Sequence, residues 1–168
     1  MTSLTTSGQF TVCITDRPVQ DAALELSVDL TARGETLLIL DAAGCFDPVR
    51  MSHAAPELAK RLQIQRVHAS ERAGESWCAL LSAHCGSPDR RLLVVGLLDC
   101  LYDPAMLTRD AARALGRIKS GLDALVAGGA DVTVVCEASH NSGTRAHFLS
   151  SLCVSADRKV EYRAPLAS

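Results

Sequence analysis

The stretch from Leu37 to Met51, LLILDAAGCFDPVRM, decides how the rest of the chain is read. It begins as an unbroken aliphatic run, ends that run on a single carboxylate at Asp41, and turns at once through Ala-Ala-Gly into Phe-Asp-Pro. A short aliphatic run between Gly34 and Gly44 fits a strand buried on both faces, and such strands belong to parallel sheets covered by helices on either side.

Working outward, strand character recurs in residues 9–15 (QFTVCIT), 64–69 (IQRVHA), 90–98 (RRLLVVGLL), 131–137 (DVTVVCE) and 158–163 (RKVEYR). Between these lie helical patterns. Pro18 opens one that Gly34 closes, with Val19, Ala22, Ala23, Leu26 and Leu30 on its apolar face. A short helix falls within HAAPELAKRL. Residues 71–85 bring Ala73, Trp77, Leu80, Leu81 and His84 to one face, where Trp77 reads as a core anchor. Thr108 is the expected N-cap of a helix that turns Ala111, Leu115, Ile118, Leu122 and Leu125 inward and stops at Gly128-Gly129. One more short helix is expected near 146–152. The alternation predicts an α/β fold, a three-layer αβα sandwich with a mainly parallel central sheet, and 168 residues suit a single domain over 1–168.

Composition narrows the function classes. Charged residues are 21% and the net charge is −2, so no global positive field announces nucleic acid or an anionic membrane. Seven cysteines (13, 45, 78, 85, 100, 136 and 153) form no C-x-x-C pair and read as buried thiols. His84 beside Cys85 has no second ligand pair, so no metal is expected. The opening MTSLTTSGQF lacks a signal-peptide pattern and no run is long enough to span a bilayer, which predicts no membrane association and an intracellular, reducing location.

In this order of elements, Leu37–Met51 resembles the second core strand and following turn of RecA/RadA-type recombinases and their paralogues. Asp41, Gly44, Phe46, Pro48 and Arg50 match that family's pattern. LLVVG (92–96) and GLDALVAGGADVTVVCEAS (121–139) fall where its fold would place them. The resemblance implies a RecA-like P-loop NTPase fold across residues 8–163. In the family a Gly-rich loop after the first strand wraps phosphates with backbone N–H groups, while Lys and Ser/Thr meet the terminal phosphate and magnesium. Here TDRPVQDAAL puts Asp21 at the Lys position and Ala22 at the hydroxyl position, with Pro18, Val19 and Gln20 replacing small residues. The catalytic Glu corresponds to Ala43 and the magnesium-holding acid to Gly96. At the polar sensor, within Cys136 to Ala138, only Glu137 offers a side-chain oxygen. The resemblance therefore implies a fold without a functional P-loop: no catalytic residue, no cofactor, no metal. Asp41 and Asp99 read either as a residual cation site or as caps of local turns.

Family members without hydrolysis act as assembly partners, so the resemblance implies a non-catalytic accessory factor in homologous recombination and DNA repair. Its expected partners are another RecA-like subunit or a recombinase, in a homo- or heteromer, together with single-stranded DNA. Two surfaces are DNA-binding candidates. One is the loop Ser139–Arg145, with His140, Asn141, Thr144 and Arg145, alternatively an ordinary solvated loop without an aromatic platform for a base. The other is the stripe Arg109, Arg113 and Arg117, alternatively a solvated helix face. No copy of the family's Phe/Ala linker motif precedes the first strand, so association through another face is expected. Two other readings stay open. One is an enzyme of another class using a Cys or an Asp/His pair, although there is no nucleophile elbow and His53, His68, His84, His140 and His147 have no assigned partner. The other is a KaiC-like structural or signalling subunit that has lost its ATPase site.

Overall fold

A computed structural model of the protein describes residues 8–32, 36–42, 44–67, 73–84 and 90–162. Six strands run through it: β1 (Phe10–Thr15), β2 (Leu37–Ala42), β3 (Leu62–Val67), β4 (Arg91–Val95), β5 (Asp131–Glu137) and β6 (Arg158–Tyr162). They form one sheet in the order β3-β2-β4-β5-β1-β6, and every neighbouring pair is parallel. The helices are α1 (Val19–Thr31), α2 (Pro48–Ala54), α3 (Pro56–Ala59), α4 (Ala73–His84), α5 (Leu97–Leu101), α6 (Thr108–Ala127) and α7 (His147–Ser155), with a 3-10 turn over Ala138–Asn141.

Strand alternation divides the interior into two cores. Phe10, Val12, Leu38, Leu40, Leu92, Val94, Val132 and Val134 face α4, α5, α6 and α7, and meet Trp77, Leu81, Ile118, Leu122 and Phe148 there. Leu37, Ile39, Leu93, Val95 and Val135 face the other way, against α1, α2 and α3, with Val19, Ala23, Phe46 and Met51. All six residues of β2 are buried, as its unbroken aliphatic run requires. Trp77 is a fully buried anchor. At the far end of the chain, Phe10 N donates to Asp157 Oδ2 (2.8 Å) and Asp157 N donates to Phe10 O (2.9 Å), which fixes β6 beside β1.

Several element boundaries differ from those the sequence predicts. The expected strand over 90–98 ends at Val95, because Gly96 takes a left-handed φ of 77° and the apolar run continues as the buried helix α5. Continuous apolar runs do not distinguish a strand from a short buried helix by periodicity. The helix expected within HAAPELAKRL is two helices, and the first begins at Pro48, where Asp47 Oδ1 accepts from Val49 N (2.9 Å) and Arg50 N (3.2 Å). That Asp-Pro pair is a cap followed by a first-turn proline. The N-cap of α6 is Leu107 and not Thr108. Strand β3 starts two residues before the expected Ile64, and His68 and Ala69 lie outside the described residues, as does Gly34. In α1, Leu26 and Leu30 are only partly buried, while Ser27 and Thr31 are buried and donate their hydroxyls to Ala23 O and Ser27 O, each at 2.6 Å.

Candidate functional site

In parallel α/β sheets, ligand chemistry gathers at the carboxyl ends of the strands, so the rim formed by the ends of β1, β2, β4 and β5 is the site to build. The connection from β1 to α1 is three residues, Asp16, Arg17 and Pro18. Arg17 N donates to Thr15 Oγ1 (3.1 Å), and Asp21 N donates to Pro18 O (3.0 Å), so these amides serve the turn itself. Val19 N, at the start of α1, donates to Glu137 Oε1 at 3.0 Å. The other oxygen of Glu137 accepts from Ser139 Oγ (3.1 Å). A helix amino end attracts negative charge, and here a carboxylate from the end of β5 supplies it. Around this corner, Arg50 pairs with Asp21 at 2.9 Å. Arg17 forms a two-pronged contact with Glu25 (3.0 and 2.9 Å), whose carboxyl also accepts from Tyr162 Oη (3.0 Å). The Arg17 hydrogen bond holds the Glu25 carboxyl below its ordinary range.

At the end of β2, Asp41 is fully buried, accepts from Cys45 N at 2.8 Å, and has Arg66 Nε 3.8 Å away. Burial pushes its carboxyl above the ordinary range, against the pull of the Phe46 and Cys45 backbone amides and Arg66. Asp41 thus caps the turn that follows it. Ala43 lies outside the described residues. Gly96, at the end of β4, could not carry a side chain in place: a Cβ there would stand 2.3 Å from Ala42 O. Asp99 pairs instead with His140, whose Nδ1 accepts from Glu137 N (3.1 Å), so that the proton is on Nε2, which faces Asp99 Oδ1 at 3.2 Å. Among the described residues, no group of three or more His, Cys, Asp or Glu is placed to hold a metal ion.

The loop after β5 corrects two of the DNA-contact candidates. Arg145 is only 8% exposed and His140 only 7%. The Arg145 guanidinium donates to the backbone carbonyls of Leu101, Asp103 (3.0 Å) and Met106, and reaches Thr108 Oγ1 at 3.4 Å. It closes the carboxyl end of α5 and the turn leading into α6, and is taken up largely by these carbonyls. Tyr102 returns the tie: its hydroxyl donates toward the carbonyls of His140 and Arg145 (2.7 Å to the latter). His140 is held between Glu137 and Asp99 as described. Asn141 and Thr144 are exposed, as are Arg109, Arg113 and Arg117 along α6, with Arg109 Nε 3.7 Å from Asp110. A buried arginine and an exposed one look alike in a polar stretch, and Tyr102 gave no signal of its own; the tie depends on two loops 38 to 43 residues apart in sequence.

Among solved structures, the crystal structure of the RadB recombinase aligns with a TM-score of 0.59 at 14% identity, over 96% of this chain and 77% of that one. The fold is RecA-like. No family model and no curated protein sequence matches the chain. The expectation of a three-layer α/β fold of this kind holds, with a sheet that is wholly parallel among the described strands. No helix among the described residues is long and apolar enough to cross a membrane.

Proposed function

We propose that this chain is a non-catalytic RecA-like subunit that acts as an accessory or assembly factor in homologous recombination and DNA repair, through contact with a RecA-like partner and with single-stranded DNA. The observation that carries the reading is the Glu137 carboxylate on Val19 N, at the amino end of α1, after a turn of only three residues. A P-loop needs a run of glycine-rich backbone and a lysine at this place to surround phosphates. Here a triphosphate would meet Glu137 and Asp21, and like charges at such distances repel it. The closed space at Gly96 supports the same reading, since the acid that would hold magnesium has no room on this backbone. Phosphoryl transfer is positioning and charge neutralisation, so a corner without these groups has no means to perform it.

The DNA component rests on Arg109, Arg113 and Arg117 with Asn141 and Thr144, because Arg145 and His140 are committed inside the fold. Titration of the protein with a fluorescent ATP analogue and magnesium tests the first part: no saturable binding and no phosphate release are expected. Micromolar binding with turnover would overturn it. For the second part, binding to a labelled single-stranded oligonucleotide should weaken with rising salt, and Arg113→Glu with Arg117→Glu should abolish it. Undiminished binding in that double variant would remove DNA from the proposal.

A further inference from the structure

Helix α6 holds two internal glycines with opposite surroundings. At Gly121 a Cβ would stand 2.9 Å from Leu81 Cδ1, so the close packing of α4 explains the missing side chain. Gly116 is exposed, has no left-handed φ, and a Cβ there would meet nothing within 4 Å. An exposed glycine inside a helix costs about 1 kcal/mol against alanine. No contact within the chain offsets that cost at Gly116, so the close approach that a helical glycine permits is left here to something outside the chain.

The surrounding charges narrow what that is. Residues three and four apart are neighbours on a helix surface, which sets Arg113 one turn before Gly116 and Lys119 one turn after, with Arg117 next in sequence. Lys119 Nζ donates to the Ser151 hydroxyl at 2.8 Å, a neutral partner that leaves its charge in place. Among the described residues no carboxylate pairs with Arg113, Arg117 or Lys119, and the ion pair on this helix is Arg109 Nε with Asp110, at 3.7 Å. Arg109 also stands in the first turn, where the amino end of a helix disfavours a cation. The four-residue spacing separates the three arginines by about 6 Å of helix rise each, so the positive charge extends along roughly 12 Å as a track. Helix α6 has no aromatic residue on which a base could stack. A phosphodiester belongs to the backbone of its strand, and meets guanidinium groups when that backbone lies against the helix. The absent side chain at Gly116 admits it. Carboxylates of an acidic peptide hang on side chains that reach outward and need no such gap.

We infer that Gly116 seats a nucleic-acid phosphate, gripped by Arg113, Arg117 and Lys119, and that the strand is held by its backbone with the bases turned outward. This rests on the DNA component of the proposed function and adds to it the seat and the indifference to bases.

Labelled oligo-dT and an abasic strand of equal length are the probes, with oligoglutamate of matched charge as a second polyanion and fluorescence anisotropy as the readout. Both strands should bind with similar affinity, and log affinity should fall against log salt with a slope of about −2, from three phosphates at roughly 0.7 each on a single strand. Gly116→Leu, which favours the helix, should keep or raise the unfolding midpoint and yet weaken both strands by about tenfold or more. Ala124→Leu, an exposed position beyond the track, should leave binding as it is. Undiminished binding in Gly116→Leu, or failure of the abasic strand to bind where oligo-dT does, would overturn the seat and leave the DNA reading standing. Absence of binding to either strand would overturn both. Oligoglutamate bound as tightly as oligo-dT would give this surface to an acidic peptide and overturn the inference.

Discussion

Two residues carry the difference between a polar loop and a fixed one. Arg145 satisfies carbonyls on Leu101, Asp103 and Met106 at once, a geometry that suits the planar guanidinium fork. Arg145→Ala should cost about 2–4 kcal/mol in urea unfolding, from the carbonyls left without a donor. Arg145→Lys should recover only a small part of it, because one ammonium cannot span all three. Gly96 is the second. Its φ of 77° and the 2.3 Å approach of any Cβ to Ala42 O exclude a side chain, so Gly96→Asp should destabilise the fold by about 2–5 kcal/mol and gain no nucleotide binding. Denaturant melts and the same fluorescent-ATP titration check both halves. That nothing but glycine fits at position 96 depends on β2 and β4 coming together, which the sequence does not display.

At the scale of elements, periodicity located the six described strands and five of the seven described helices, because burial on both faces or on one stripe writes itself directly into residue type. It failed where local geometry overrides pattern: the left-handed turn at Gly96, and the Asp47 cap that starts α2 early. The RecA-like fold was legible in the order of elements. The bonds that build the candidate site were not legible, since those from Val19 to Glu137 and from His140 to Asp99 cross 118 and 41 residues of chain. Contact between helices is also set by single positions. A Cβ at Gly121 of α6 would stand 2.9 Å from Cδ1 of Leu81, a fully buried residue of α4. Gly121→Val should therefore push α4 away from α6 and cost about 1–3 kcal/mol by thermal or urea unfolding. Gly116→Ala, with open space around it on the same helix, should be neutral or stabilising.

For the molecule as a whole, burial sorts the thiols of the described cysteines. Burial pushes the Cys13 thiol up to about 11 and Cys45 up to about 12, and raises Cys136 as well, so these remain protonated and shielded at neutral pH. Among the described cysteines, Cys78 and Cys153 are the partly exposed ones. A thiol-reactive dye at pH 8 should label those two within the folded protein, Cys153 slowly because burial raises its thiol. Cys13, Cys45, Cys100 and Cys136 should label only as the fold opens; mass spectrometry of labelled peptides distinguishes the sets. The reciprocal tie between Tyr102 and Arg145 reaches furthest. Because each side chain fastens the other's loop, the two segments at the sheet's carboxyl edge share one shape before anything arrives. Whatever a partner loses in ordering itself, this face would lose little of its own on docking.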